Sequence, residues 1–240
     1  TSVAMICHPG LKALFASLDS VDSVFSFAEE IPSTGWDYWT PPLSIPLYCE
    51  TRLDTIPAPI PYLSAPADRR EKWASVALPA GVRIGLVWKG NPKFENDADR
   101  SLPSLELLAP LGKVPGLGFI SLQKGEGEDE ALRPPEGLPL LALGGELTDF
   151  ADTAALIARL DLLICVDTAV AHLAGAQGKP CWVLLPAYKT DWRWLTERSD
   201  SPWYPGVLRL FRQTSNWPDL IAKVVVALEA FVARFETTRS

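Results

Sequence analysis

The sequence predicts an α/β fold: a doubly wound parallel sheet preceded by a smaller α/β half. Three observations carry this expectation. From Val82 onward, short apolar runs alternate with helical patterns, as strands buried on both faces alternate with the helices that cover them. Prolines at 32, 41, 42, 46, 57, 59, 61 and 66 separate that region from a first strand and helix, because proline denies regular helix and favours extended or turning backbone. With 240 residues, 48% of them hydrophobic, the chain can bury one large core or two small ones.

Taken in order, Val3 to Cys7 is a buried strand, and Pro9 to Leu18 a helix with Leu11, Leu14, Phe15 and Leu18 on one face. Ile56 to Tyr62 has the composition of a semi-rigid polyproline-like spacer. The boundary between the halves falls between about 66 and 80, giving units of 1–70 and 71–240. The second unit is expected to contain strands Val82–Trp88, Leu117–Leu122, Leu138–Ala142 (the weaker one), Leu162–Val166 and Cys181–Leu185. Between them come helices Ser104–Leu111, Asp152–Arg159 and Ala169–Gln177. A closing helix, Trp217–Phe235, carries Leu220, Val224, Leu228, Phe231 and Phe235 at helical spacing, with Pro218 and Asp219 in its first turn. It is expected to dock on the sheet or to clasp the first half.

Lys plus Arg number 22 against 29 Asp plus Glu, for a net charge of −7, which argues against nucleic-acid partners and anionic membrane surfaces. No apolar stretch approaches the roughly 20 residues that span a bilayer. With no signal peptide readable before Pro9, a cytoplasmic location is the expectation. Cys7, Cys49, Cys165 and Cys181 form no CxxC pair and have only His8 and His172 to join them, so no metal site is expected. Cys165 and Cys181 sit in apolar runs and read as small core residues.

Ligands of open parallel sheets bind where the strands end, so three segments matter. After Val87, Lys89, Gly90, Asn91, Lys93 and Arg100 offer close backbone approach and positive charge for a pyrophosphate. After Ser121 come Gln123, Lys124 and Gly125. After Val166, Asp167 and Thr168 open a small-residue helix whose free amides make an anion site, with His172 one turn inside it. Asp97-Ala-Asp99 reads as a cap or turn, and Asp152 as a helix cap or first-turn acid. Asp191-Trp-Arg-Trp194 and Ser201-Pro-Trp-Tyr-Pro205 are either packing loops or a stacking platform for a base or sugar.

Gly85-Leu-Val-Trp-Lys-Gly-Asn91, Arg100-Ser-Leu-Pro103, Ser121-Leu-Gln-Lys-Gly125, Asp149-Phe-Ala-Asp-Thr153, Val166-Asp-Thr-Ala-Val-Ala-His-Leu-Ala174, Asp191-Trp-Arg-Trp194 and Ser201-Pro-Trp-Tyr-Pro205 occur in this order. Together they resemble the glycosyltransferase-like domain that follows tetratricopeptide repeats in bacterial proteins. That domain is similar to the ADP-heptose:lipopolysaccharide heptosyltransferase family and, more distantly, to protein O-GlcNAc transferases.

The resemblance implies a GT-B architecture, with 1–70 as a partial acceptor-side half and 71–240 as the nucleotide-sugar-binding half. It implies a nucleotide-diphosphate sugar donor, no metal or other cofactor, a saccharide or protein acceptor, and repeats upstream in a longer chain. Carried over by position, Lys89, Asn91, Arg100, Gln123, Lys124, Asp167, Thr168 and His172 bind the donor, with Ala169 where the family motif has glycine. The Gly-Asp loop that supplies the proposed base in heptosyltransferases has no counterpart in this sequence, so no catalytic residue is assigned and a fragment of a longer protein is expected. The alternative reading is a catalytically silent module that binds a nucleotide sugar or scaffolds partners.

Overall fold

The computed structural model describes residues 2–239, with side chains through Phe235; Thr1 and Ser240, the outer limits of the two expected units, lie outside the described residues. The chain runs β1 (Ala4–Cys7), α1 (Lys12–Phe15), β2 (Ser23–Ser26), α2 (Ile45–Tyr48), α3 (Ala67–Ala74), β3 (Val82–Val87), α4 (Asp97–Arg100), β4 (Leu117–Ser121), β5 (Leu140–Ala142), α5 (Phe150–Ile157), β6 (Leu162–Val166), α6 (Ala169–Ala176), β7 (Cys181–Leu185), β8 (Leu208–Arg212) and α7 (Trp217–Arg239).

β1 and β2 form a parallel pair. The other six strands make one parallel sheet in the order β5-β4-β3-β6-β7-β8. The chain winds outward from β3 to β5, then returns to lay β6 beside β3. The carboxyl ends of β3 and β6 therefore face a crevice where strand order reverses, the place where doubly wound sheets bind ligands. The sheet buries both faces by strict alternation, the period-2 consequence of the pleat. Leu163, Cys165, Cys181, Val183 and Leu185 face one core with α5 and α6. Leu162, Ile164, Val166, Trp182 and Leu184 face the other, where Leu220, Val224 and Leu228 of α7 meet Leu105, Leu108 and Leu111. Gly85 lies against the first core because a Cβ there would come within 2.4 Å of Leu160 Cδ1.

The closing helix docks on the sheet, one of its two expected placements. Other elements differ from expectation. The expected Pro9–Leu18 helix is a 3-10 turn, Pro9–Leu11, followed by the single turn α1. Ser104–Leu111 is a 3-10 helix, Leu105–Lys113, with Ser104 as its cap. Pro110 inside it lacks the amide that a regular α-helix would use. β2 and β8 were not expected, and neither was α3, which straddles the expected 70/71 boundary. The proline-rich segment does not end as a free spacer: the amides of Tyr62 and Leu63 donate to Ala176 O, at 2.9 and 3.2 Å. They satisfy a carbonyl that the carboxyl end of α6 would otherwise leave open. Among the described residues no helix is long and apolar enough to cross a membrane.

α3 is fixed by a carboxylate. Asp152, completely buried, accepts hydrogen bonds from Trp73 Nε1 at 2.8 Å, Lys72 Nζ at 2.9 Å, Thr148 Oγ1 at 2.6 Å and Thr148 N at 2.9 Å. Burial alone would raise its pKa, but the donors of Thr148, Lys72 and Trp73 outweigh burial and hold the carboxyl well below the usual carboxylate range. The helix cap is Asp149, whose Oδ1 accepts from Asp152 N at 2.9 Å, so Asp152 is the first-turn acid.

Replacing Asp152 with Ala strands these donors and is expected to cost about 3 kcal/mol in chemical denaturation. Because the folded pKa is depressed, this stabilisation is complete above the unfolded carboxylate value of about 4 and fades as pH falls below it. The gap between wild type and Asp152→Ala should therefore narrow below pH 4.

Candidate functional site

A cleft of about 560 Å³ opens at the reversal point. Six of the eight expected donor-binding residues border it: Lys89, Asn91, Arg100, Gln123, Lys124 and Thr168. Asp167 and His172 stand behind its wall.

The floor is built on Gln123, which is almost wholly buried. Its Oε1 accepts from Trp88 N at 2.9 Å and Lys89 N at 3.0 Å. Its Nε2 donates to Lys89 O at 3.1 Å and Glu126 O at 2.7 Å. Every donor and acceptor position of the amide is engaged, so Gln123 shapes the cleft by joining the ends of β3 and β4. The loop after β3 closes through Gly90 N donating to Ser101 Oγ and Leu102 N to Trp88 O, both at 2.8 Å.

Arg100 spans the reversal. Its Nε pairs with Asp97 Oδ1 at 3.0 Å, its Nη1 donates to Asp167 O at 3.0 Å, and its guanidinium lies 4.3 Å from the Phe94 ring centroid. Gly90 makes room for this: a Cβ there would meet Arg100 Nη2 at 2.6 Å. Asp97 is thus an anchor for Arg100, in the first turn of α4. Lys89 pairs with Glu130 at 2.5 Å and lies 4.0 Å from Glu126. The exposed Lys124 is 3.8 Å from Glu128. Asn91 Oδ1 accepts from Lys93 N at 3.0 Å, turning the loop.

Thr168 occupies the cap position of α6 in extended backbone, yet its side chain makes no capping bond. Its Oγ1 is buried without a partner, on the cleft wall beside Ala169 and Val170. Behind it, the Asp167 carboxylate faces Asp191 N at 3.4 Å. His172 Nδ1 is 3.0 Å from Tyr204 Oη, and its ring stacks on buried Trp194 with centroids 4.8 Å apart. Burial holds the His172 pKa below its ordinary value, against the upward pull of Asp167 and Asp191. Burial, followed by Tyr62, pushes the Tyr204 phenol upward, so it stays protonated. The aromatic loops divide: Trp194 packs behind the site, Trp192 meets Trp203 edge-on, and neither borders the cleft.

His8, Gly10, Thr148, Thr153 and Val170 also line the cleft, and the sequence reading missed them. His8 directly follows β1, so the strand-end rule used for later strands would have found it. Among the described residues no group of three or more His, Cys, Asp or Glu side chains could hold a metal ion.

A depressed histidine pKa means stability that is complete above the ordinary value of 6.5 and is lost as pH falls below it. His172→Asn should therefore flatten the decline in stability between pH 7 and 5, measured by denaturation at each pH.

Residues 121–185 match the profile of glycosyltransferase family 9 (heptosyltransferase). The chain is 35% identical over 169 residues to Protein FlbA of Caulobacter vibrioides, an alignment covering 65% of this chain. It spans only 26% of the length of that curated relative. In structure it resembles ADP-heptose LPS heptosyltransferase II of E. coli, with a TM-score of 0.62 at 13% identity, covering 98% of this chain and 90% of that one. It also resembles the family 9 glycosyl transferase of Veillonella parvula, with a TM-score of 0.55 at 14% identity, covering 93% and 82%. The chain thus has the GT-B fold of heptosyltransferase structures, and its segment from the end of β4 through β7 carries the glycosyltransferase family 9 (heptosyltransferase) pattern.

Proposed function

We propose that the cleft holds the diphosphate of a nucleotide sugar and that the chain is the donor-binding part of a glycosyltransferase acting on an acceptor hydroxyl. The observation that carries this reading is the Thr168 hydroxyl, buried without a partner at the start of α6 on the cleft wall. A buried hydroxyl with no bond is costly, and a phosphate oxygen arriving there would satisfy it. The same oxygen would meet the open amides of the first helical turn, which favour an anion.

Arg100 and Lys89 border the same space. Both are already held by carboxylates, so they present oriented charge without reorganising when a ligand arrives. As the anomeric carbon–oxygen bond breaks, negative charge collects on the departing phosphate, and these groups are placed to stabilise it. Asp167 and His172 act from behind: Asp167 by offering its carbonyl to Arg100, His172 by packing the helix against Trp194. The ADP-heptose of the E. coli protein makes ADP-sugars the first donors to test. We extend the reading to a metal-independent enzyme acting in the cytoplasm within a longer chain, downstream of tetratricopeptide repeats, with a saccharide or protein acceptor.

Calorimetric titration with ADP, UDP and GDP, with and without magnesium, tests the site. One nucleotide should bind saturably and without metal. Thr168→Val should weaken it about tenfold or more, the size of a lost hydrogen bond to a charged group. The same change should leave thermal stability unchanged or higher, since the hydroxyl has no partner in the free protein. Equal affinity in wild type and Thr168→Val would remove Thr168 from the site, and no binding of any nucleotide would overturn the reading.

A further inference from the structure

Among the described residues, two that line the cleft come from the chain before Val82, His8 and Gly10; the rest lie between Val87 and Val170. His8 follows β1 directly, and its side chain is exposed. Pro9 has no amide to offer, so the ring turns to the next one: Gly10 N donates to His8 Nδ1 at 3.4 Å. With Nδ1 accepting, the ring's N–H is on Nε2, the polar atom left for the cleft.

The two walls therefore differ in chemistry. The six-stranded half supplies the cations, the helix N-terminus and the orphan hydroxyl, which suit a diphosphate, together with Glu126, Thr148, Asp149 and Thr153. The first half supplies one N–H donor beside a glycine, which suits a polyol. We infer that His8 is the sugar-recognising residue of the site, donating a hydrogen bond from Nε2 to a hydroxyl of the transferred sugar. The inference rests on the nucleotide-sugar reading.

Its test compares bare nucleotides with conjugates: ADP, UDP and GDP against ADP-glucose, UDP-N-acetylglucosamine and GDP-mannose, with wild type, His8→Phe and His8→Gln. Wild type should bind one conjugate more tightly than its nucleotide. His8→Phe should lose roughly tenfold of the conjugate's affinity, about one charge-free hydrogen bond, while its affinity for the bare nucleotide stays at the wild-type value. That unchanged nucleotide affinity also shows that the variant is folded. His8→Gln, which keeps an N–H donor, should retain most of the conjugate's advantage.

Conjugate affinity in His8→Phe equal to wild type, or an equal loss for nucleotide and conjugate, would overturn the assignment. Wild type binding no nucleotide would instead overturn the functional reading beneath it.

Discussion

β3 pairs with β4 on one side and β6 on the other, so the chain leaves the carboxyl end of the sheet in opposite directions at that point, and the cleft is the space between the two departures. Two side chains hold that gap in shape. Gln123 ties the end of β3 to the end of β4 with three hydrogen bonds, and Arg100 reaches from the loop after β3 to the backbone after β6. These ties, with Asn96 Nδ2 donating to Lys189 O at 2.6 Å, fix the loops that carry Lys89, Asn91 and Lys124 against neighbouring strand ends. A site made of strand ends is as precise as the bonds that cross from one strand end to the next.

The electrostatics follow from the same economy. In a chain of net charge −7, each cation at the cleft that was expected to bind phosphate is matched by a carboxylate: Lys89 by Glu130, Arg100 by Asp97, Lys124 by Glu128. The local field is modest, and long-range steering of an anion has little to draw on. In the proposed reading, what would favour a phosphate here is short-ranged: backbone amides, an unbonded hydroxyl and charges already fixed in direction.

The parallel sheet was legible because both of its faces are buried, which writes each strand as a continuous apolar run, as in Leu162–Val166 and Cys181–Leu185. Elements with other sources of stability were not. α3 is a polar helix whose one buried apolar side chain is Trp73, and ion pairs to Asp152 and Asp149 anchor it. β8 lies at the sheet edge, and Arg209 and Arg212 interrupt its apolar pattern. Within the site, position after a strand located the loops correctly, but not which side chains turn toward the cleft. His172 shows the limit: spacing puts it one turn inside α6, while only packing against Trp194 and Tyr204 decides that it faces away.

α6 joins two regions that are far apart in the sequence. Its first residues border the cleft, and its last carbonyl, Ala176 O, receives the amides of Tyr62 and Leu63 from the proline-rich segment. Eight helical residues make a rod about 12 Å long, stiff along its axis because its backbone bonds run parallel to it. The segment leading from the first half is thus attached to the far end of a strut whose near end meets the cleft. Mechanically, a pull on that segment is a pull on the cleft wall, so tension and a ligand in the cleft would act on the same element from opposite ends.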